Sequence, residues 1–304
     1  MKKIPLGISG LSLSVAALGN LLGGAARPWL GLLAAVLWAL WIGKVATDFP
    51  KVWKELKQPI PLSLSVTGTM ALMVLAAYLR PFMGALALIL WFMGMVAQLG
   101  VMGLFALRFM SKLKLATVFP SWLVLGVGIA VASLTSPAMG FVPLGQLLFW
   151  VGFALYFLMM GLVIARLIKI KELPEPARPT LAIVTAPMSL LVVGYLATHS
   201  NPSAPLLWVM TALAGAGYGY ALYRIIPQWR MKFYPTMAAY TFPLVISASA
   251  FSQVGNVLNF GNSLIYRGLV GLMTGISILT VGYVLVRYWA FLMPKPLNFK
   301  KQPN

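Results

Sequence analysis

Ten long apolar stretches, separated by short polar ones, run the length of the chain. A helix needs about 20 predominantly apolar residues to cross a hydrocarbon layer roughly 30 Å thick. The stretches that qualify, several of them with tilt or kinks, cover approximately 5–23, 28–45, 61–79, 81–107, 120–136, 143–166, 180–197, 205–225, 235–256 and 262–286. The pattern predicts an all-α integral membrane protein of ten transmembrane helices, forming a single transmembrane domain over 1–304. The odd-numbered stretches start near Pro5, Pro61, Pro120, Thr180 and Pro235. Starts that recur every ~55–60 residues define a repeat, here five helical hairpins. Proline suits the first helical turn, where the N–H it lacks would be unpaired anyway.

The two classes of stretch differ in chemistry. Odd ones are rich in Ser, Thr, Gly and Pro, including Ser12 and Ser14, Ser65 and Thr69, Pro187, Thr241 and Pro243. Even ones are bulkier, as in Trp38-Ala39-Leu40-Trp41 and Leu147-Leu148-Phe149-Trp150. The arrangement this suggests is an inner ring of odd helices inside an outer ring of even ones, around a central pore. Irregular backbone and hydroxyls are tolerated at membrane depth where they line a cavity. Ser12, Ser65, Thr69 and Thr241 are therefore pore-lining candidates, and Pro187 and Pro243, which lie inside their stretches, are kink candidates. Small and hydroxyl residues also mediate ordinary helix packing in membranes. For any single one of these residues, and for the Gly271/Gly275 pair, packing is the competing role.

Charge orients the map. The turns within the hairpins hold only Arg27, Arg80 and Arg267 of 23 Lys and Arg residues; the other twenty lie in the loops between hairpins and in the tails. By the positive-inside rule both termini are cytoplasmic. The same dispersal explains the net charge of +19 without nucleic acid. A charged fraction of 9% excludes a soluble domain, which carries roughly 25%. Met1-Lys2-Lys3 and the apolar run up to Gly24-Ala25-Ala26 have the look of a secretory signal, yet the run also fits the repeat as its first span.

Only four carboxylates are present, Asp48 and Glu55 in one loop and Glu172 and Glu175 in another. Ion and proton pumps place ionisable groups within the membrane; spans without carboxylates are instead hospitable to anions. The chain has no cysteine and one histidine, His199, in a polar loop. Nothing suggests a nucleophile–base pair, a metal cluster or a phosphate loop, so no enzyme activity and no cofactor are expected.

Several short motifs stand out in order along the chain. They are Phe49-Pro50, Lys54-Glu55-Leu56 and Gln58-Pro59; Arg166-Leu167, Glu172-Leu173-Pro174, Leu181-Ala182-Ile183 and Ala186-Pro187; Gly217-Tyr218-Gly219; and Ala239-Tyr240-Thr241-Phe242-Pro243. In this order they resemble the first cytoplasmic loop, the junction of the sixth and seventh spans, the eighth span and the W/A-x-F-S-F-G segment of the ninth span in the TehA-type tellurite-resistance/dicarboxylate transporters, a family that includes the slow anion channels of plant guard cells. The resemblance implies five hairpins around a pore, kinked inner helices, and a homotrimer in the plasma membrane with one pore per subunit. It also implies a phenylalanine plug, at the position of Phe242. Two departures stand out: Leu158-Met159-Met160-Gly161 replaces a segment that often carries glutamate, and Trp122 to Gly128 lacks the usual asparagine-rich stretch. The function implied is an anion channel for small inorganic or organic anions, nitrate and chloride among them. The alternative is a secondary carrier for C4-dicarboxylates, other organic acids or tellurite-type oxyanions.

The charge map is testable because the chain is cysteine-free. Lys54→Cys and Lys171→Cys should resist an impermeant thiol reagent applied outside intact cells. External labelling at either position would overturn the topology.

Overall fold

The computed structural model describes residues 4–293. The tail bases Lys2, Lys3, Lys295, Lys300 and Lys301 lie outside these. Twelve α-helices are formed among the described residues: α1 Ile8–Leu22, α2 Ala26–Thr47, α3 Phe49–Glu55, α4 Pro59–Leu79, α5 Gly84–Phe105, α6 Trp122–Val127, α7 Ala130–Met139, α8 Val142–Lys169, α9 Ala186–Thr198, α10 Ala204–Gln228, α11 Thr241–Val257 and α12 Leu264–Leu292. Among the described residues nine apolar elements are long enough to cross a membrane: α2, α4, α5 with a π-helical extension, α6 with α7, α8, α10, α12, and α9 and α11 each with a preceding 3₁₀ segment. The tenth, α1, has 15 residues, about 22 Å at 1.5 Å per residue. Tight turns lengthen it towards the N-terminus, with Ile8 N–H donating to the Pro5 carbonyl and Ser9 N–H to that of Leu6. Each expected span thus corresponds to a helical element, with ends shifted by a few residues.

Burial separates the two classes. In the most apolar window of each span, 67–83% of residues are buried for α4, α6–α7, α9 and α11 with their lead-in segments, against 22–33% for α2, α5, α8, α10 and α12. Every residue of α1 from Ile8 to Gly19 is buried as well. Large side chains such as Val96, Leu272 and Leu279 lie exposed on the outer helices, as expected of a surface facing lipid rather than water. The inner helices close on themselves: α1 packs on α4, α4 on α6 and α7, α7 on α9, α9 on α11, and α11 back on α1. Each carries its hairpin partner outside, α2, α5, α8, α10 and α12 in turn.

Hydroxyl groups stitch this ring at every joint. Ser9 Oγ lies 2.7 Å from Thr67 Oγ1 between α1 and α4. Ser63 donates to Ser121 Oγ at 2.7 Å, joining α4 to the start of α6. Ser133 reaches the Gly194 carbonyl at 3.4 Å, joining α7 to α9. Ser189 and Ser247 meet at 2.8 Å between α9 and α11, and Ser14 and Thr241 close the ring at 2.6 Å between α1 and α11. A hydroxyl in hydrocarbon has no water to turn to, so it pairs within its own helix or across to the next. Close backbone approach serves the same end. At Gly7 a Cβ would lie 2.5 Å from the Pro235 carbonyl oxygen, so α1 and the segment before α11 touch because the side chain is missing.

Pro187 and Pro243 lie inside the spans Glu175–Thr198 and Pro235–Val257, close to a change of helix type in each. The backbone ahead of each is 3₁₀, over Glu175–Thr185 and Pro235–Tyr240, and changes to α-helix at Ala186 and Thr241, one and two residues before the prolines. Pro187 is in the first turn of α9 and Pro243 is the third residue of α11. A 3₁₀ segment makes i→i+3 bonds, so the change of helix type absorbs the missing proline N–H and the clash with residue i−4. The short helix α3, between two apolar stretches, and the π-helical form of the turn Ala106–Met110 at the end of the fourth stretch were not foreseen from hydropathy.

The ring-closing joint makes a stability prediction. Ser14→Ala, Thr241→Val and the double variant, unfolded thermally in detergent, should give a coupling energy of about 0.5–1.5 kcal/mol. Strict additivity would mean that this joint does not hold the ring.

Candidate functional site

The inner ring encloses a chain of cavities along its axis. At the end bearing the hairpin turns lies a vestibule of about 290 Å³, lined by all five inner elements. Its wall includes Ala17 and Asn20 from α1, Val74 from α4, Val131 from α7, Val193 from α9, and Phe242, Ile246, Ser249 and Gln253 from α11. The four α11 positions fall at i, i+4, i+7 and i+11, one face of a helix. Beyond Phe242 the space shrinks to about 30 Å³, walled by Gly10, Thr67, Val124, Ala186, Ala239 and Pro243 among others. A water molecule's share of the liquid is about 30 Å³, so this neck holds little more than one. It opens in turn, past Gly7, Leu64, Pro235 and Thr236, into a mouth of about 360 Å³ at the basic end, where Lys44, Lys51 and Glu55 reach the wall.

Phe242 belongs to the walls of both the vestibule and the neck. Its position follows from local structure. It is the second residue of α11, just past the 3₁₀ segment ending at Tyr240. Pro243 has no N–H, so the Ala239 carbonyl four residues back receives no helical bond from it. Ala239 itself lines the neck.

The electrostatics are one-sided. Neither the vestibule nor the neck has an Asp, Glu or His in its wall. Arg27 Nε donates to Asn20 Oδ1 at 3.0 Å at the vestibule rim, its guanidinium 4.4 Å from the centre of the Tyr78 ring. At the opposite end Lys44 is buried and paired with Asp48. Among the described residues no group of three or more His, Cys, Asp or Glu could hold a metal ion.

The candidates read from sequence separate into two groups. Phe242 and Pro243 lie at the neck, Pro187 adjoins the neck residue Ala186, and Ser65 lies at the basic mouth. The other hydroxyls point at helices. Ser12 donates to the Ala34 carbonyl of α2 at 2.8 Å. Thr69 bonds the Val66 carbonyl at 2.7 Å and Gln98 of α5. Thr241 bonds the Ala238 carbonyl at 2.7 Å and Ser14 across the ring. Sequence reasoning passed over Asn20, Val124 and Gln253. The α11 stripe was available in the i, i+4, i+7 spacing, but choosing that face over the others requires the ring axis.

This geometry invites comparison with known transport proteins. The sequence profile of the family described as voltage-dependent anion channel (SLAC1) matches residues 4–289. A tellurite resistance protein TehA homolog from Haemophilus influenzae is 28% identical over 313 residues, which cover 95% of this chain and 91% of that protein. Apolar spans in two burial classes, a closed inner ring and a profile match from end to end agree: the chain is a multi-pass membrane transport protein and belongs to the SLAC1, voltage-dependent anion channel, family.

Proposed function

We propose that the protein is a passive channel for small anions, closed in this conformation by the ring of Phe242. The observation that carries this reading is the place of that one side chain in the walls of both the vestibule and the neck. An anion crossing a neck with room for about one water must shed most of its hydration, a cost of several kcal/mol or more. A small occluding group therefore sets a large barrier, each 1.4 kcal/mol or so of which is worth about tenfold in rate. The absence of carboxylates from vestibule and neck removes the charge that would repel an anion, and the bases near each end favour its approach. In the membrane the basic end faces the cytoplasm, as the twenty-to-three split of bases argues. Family likeness further suggests a homotrimer in the plasma membrane, each subunit with its own pore.

One observation favours a second reading, a carrier for dicarboxylates or tellurite-type oxyanions. The vestibule has nearly the volume of a small-ligand pocket, about 300 Å³ and upwards, and offers Asn20, Ser249, Ser252 and Gln253 as polar contacts. A carrier would bind its substrate there and alternate access around it.

Two experiments decide. In planar bilayers, Phe242→Ala should raise anion conductance by at least about tenfold while the protein still folds. If Phe242 only packs the interior, the variant should instead lose about 3–5 kcal/mol of stability with no gain of current. In vesicles, the anion gradient alone should set the reversal potential, because no titratable acid lines the vestibule or neck. Anion uptake that follows an imposed pH gradient with fixed stoichiometry would favour the carrier.

A further inference from the structure

A separate cavity of about 800 Å³ opens at the basic end of the bundle and shares no wall residue with the axial chain. It lies between the last turns of α8, the last turns of α10 and the 3₁₀ segment leading into α9. Three bases line it, Lys171, Arg178 and Arg224, against one acid, Glu172. The other acid of that loop, Glu175, is engaged by Lys232 at 3.6 Å. Tyr220 and Tyr223 add hydroxyls to the wall.

Three features indicate a built site rather than a chance gathering of charge. The Nε of Arg224 is shut away from solvent with no hydrogen-bond partner. Arg224 is nonetheless part of the cavity wall, so a charged side chain with one N–H unpaired by the protein borders the space. The loop carrying Lys171 and Glu172 is fixed from beneath: Arg166, 2% exposed, donates to the carbonyls of Ile170 at 2.6 Å and Glu172 at 2.7 Å. Exposed apolar side chains adjoin wall residues in sequence: Ile168, next to Leu167, is 68% exposed and Ile226, next to Pro227, is 70% exposed, while Tyr223 in the wall itself is 68% exposed. In a membrane such side chains meet acyl chains, and a tyrosine at this depth sits at the headgroup level.

We propose that this cavity binds the phosphate of an anionic phospholipid. Arg178 and Arg224 are its principal partners, Lys171 adds charge at the rim, and the acyl chains lie against Ile168 and Ile226. Guanidinium groups match phosphate oxygens in planar, paired hydrogen bonds. Basic pockets between helices at the membrane surface take anionic headgroups for this reason. The occupant would not be isolated from the axis. Gln228, on the cavity wall, accepts a hydrogen bond at 3.0 Å from the hydroxyl of Tyr240, two residues before Phe242.

The test uses the full chain in lipid nanodiscs, with bound phosphatidylglycerol counted by native mass spectrometry against a phosphatidylcholine background. Wild type should retain phosphatidylglycerol selectively. Arg178→Gln/Arg224→Gln should lower its affinity about tenfold or more. Lys112→Gln/Lys114→Gln, which removes the same charge from another exposed loop of the basic end, should stay within about twofold. Melting in phosphatidylcholine alone checks that each variant folds. If the double variant does not, exposed Arg178→Gln alone should still cost roughly threefold or more. Equal losses in the two double variants would mean diffuse surface attraction and overturn the site. Occupation by inorganic phosphate with indifference to phosphatidylglycerol would assign the cavity to a soluble anion and overturn the lipid.

Discussion

Nothing in a hydrocarbon layer accepts a hydrogen bond, and the inner ring is organised by that constraint. Its serines and threonines pair with the helix beside them, so that Ser9 finds Thr67, Ser63 finds Ser121, Ser189 finds Ser247 and Ser14 finds Thr241. Each such contact in a membrane is worth only about 0.6 kcal/mol on average. Their force is collective and geometric, because they fix neighbour to neighbour around a closed circuit. With the hydroxyls committed sideways, the axial space at the neck is left mainly to Gly10, Val124, Ala186, Ala239, Phe242 and Pro243. A largely apolar neck is thus a consequence of how the ring is held together.

The same constraint governs the irregular backbone. The leads into α9 and α11 run as 3₁₀ helix and change type just before Pro187 and Pro243. A proline in continuous α-helix would leave one carbonyl unpaired and force a clash; placing it close to a change of helix type limits the damage to one turn. Phe242 stands just past such a junction, in the first turn of α11 and next to the 3₁₀ segment that precedes it. Small displacements there would move the ring more readily than displacements in mid-helix, which suits the moving part of a proposed gate.

Much of this was legible in the sequence. The five-fold recurrence of proline starts and the alternation of hydroxyl-rich and bulky spans anticipated the two rings, since burial in a membrane bundle follows side-chain type so directly. Less legible was which hydroxyl faces what. Ser12, Thr69 and Thr241 are on spans that do surround the axis, yet they bond Ala34, Gln98 and Ser14. A span buried on all sides shows no amphipathic stripe, so hydropathy cannot choose its axial face. Phe242 was reached through its motif, not through periodicity. Helix α3 escaped notice because seven residues between two spans carry too short a pattern to register.

If the Phe242 ring is the gate proposed, it separates the vestibule from the neck, and the accessibility of each space to a reagent reports on that separation. In the cysteine-free chain, Val124→Cys puts a thiol at the neck and Ser249→Cys puts one in the vestibule. A small charged methanethiosulfonate reagent is applied from the vestibule side, with and without Phe242→Ala. Residue 249 should react at the same rate in both backgrounds, and residue 124 at least about tenfold faster once the ring is gone. Equal rates at residue 124 in both backgrounds would contradict the proposed gate and place the barrier elsewhere on the axis.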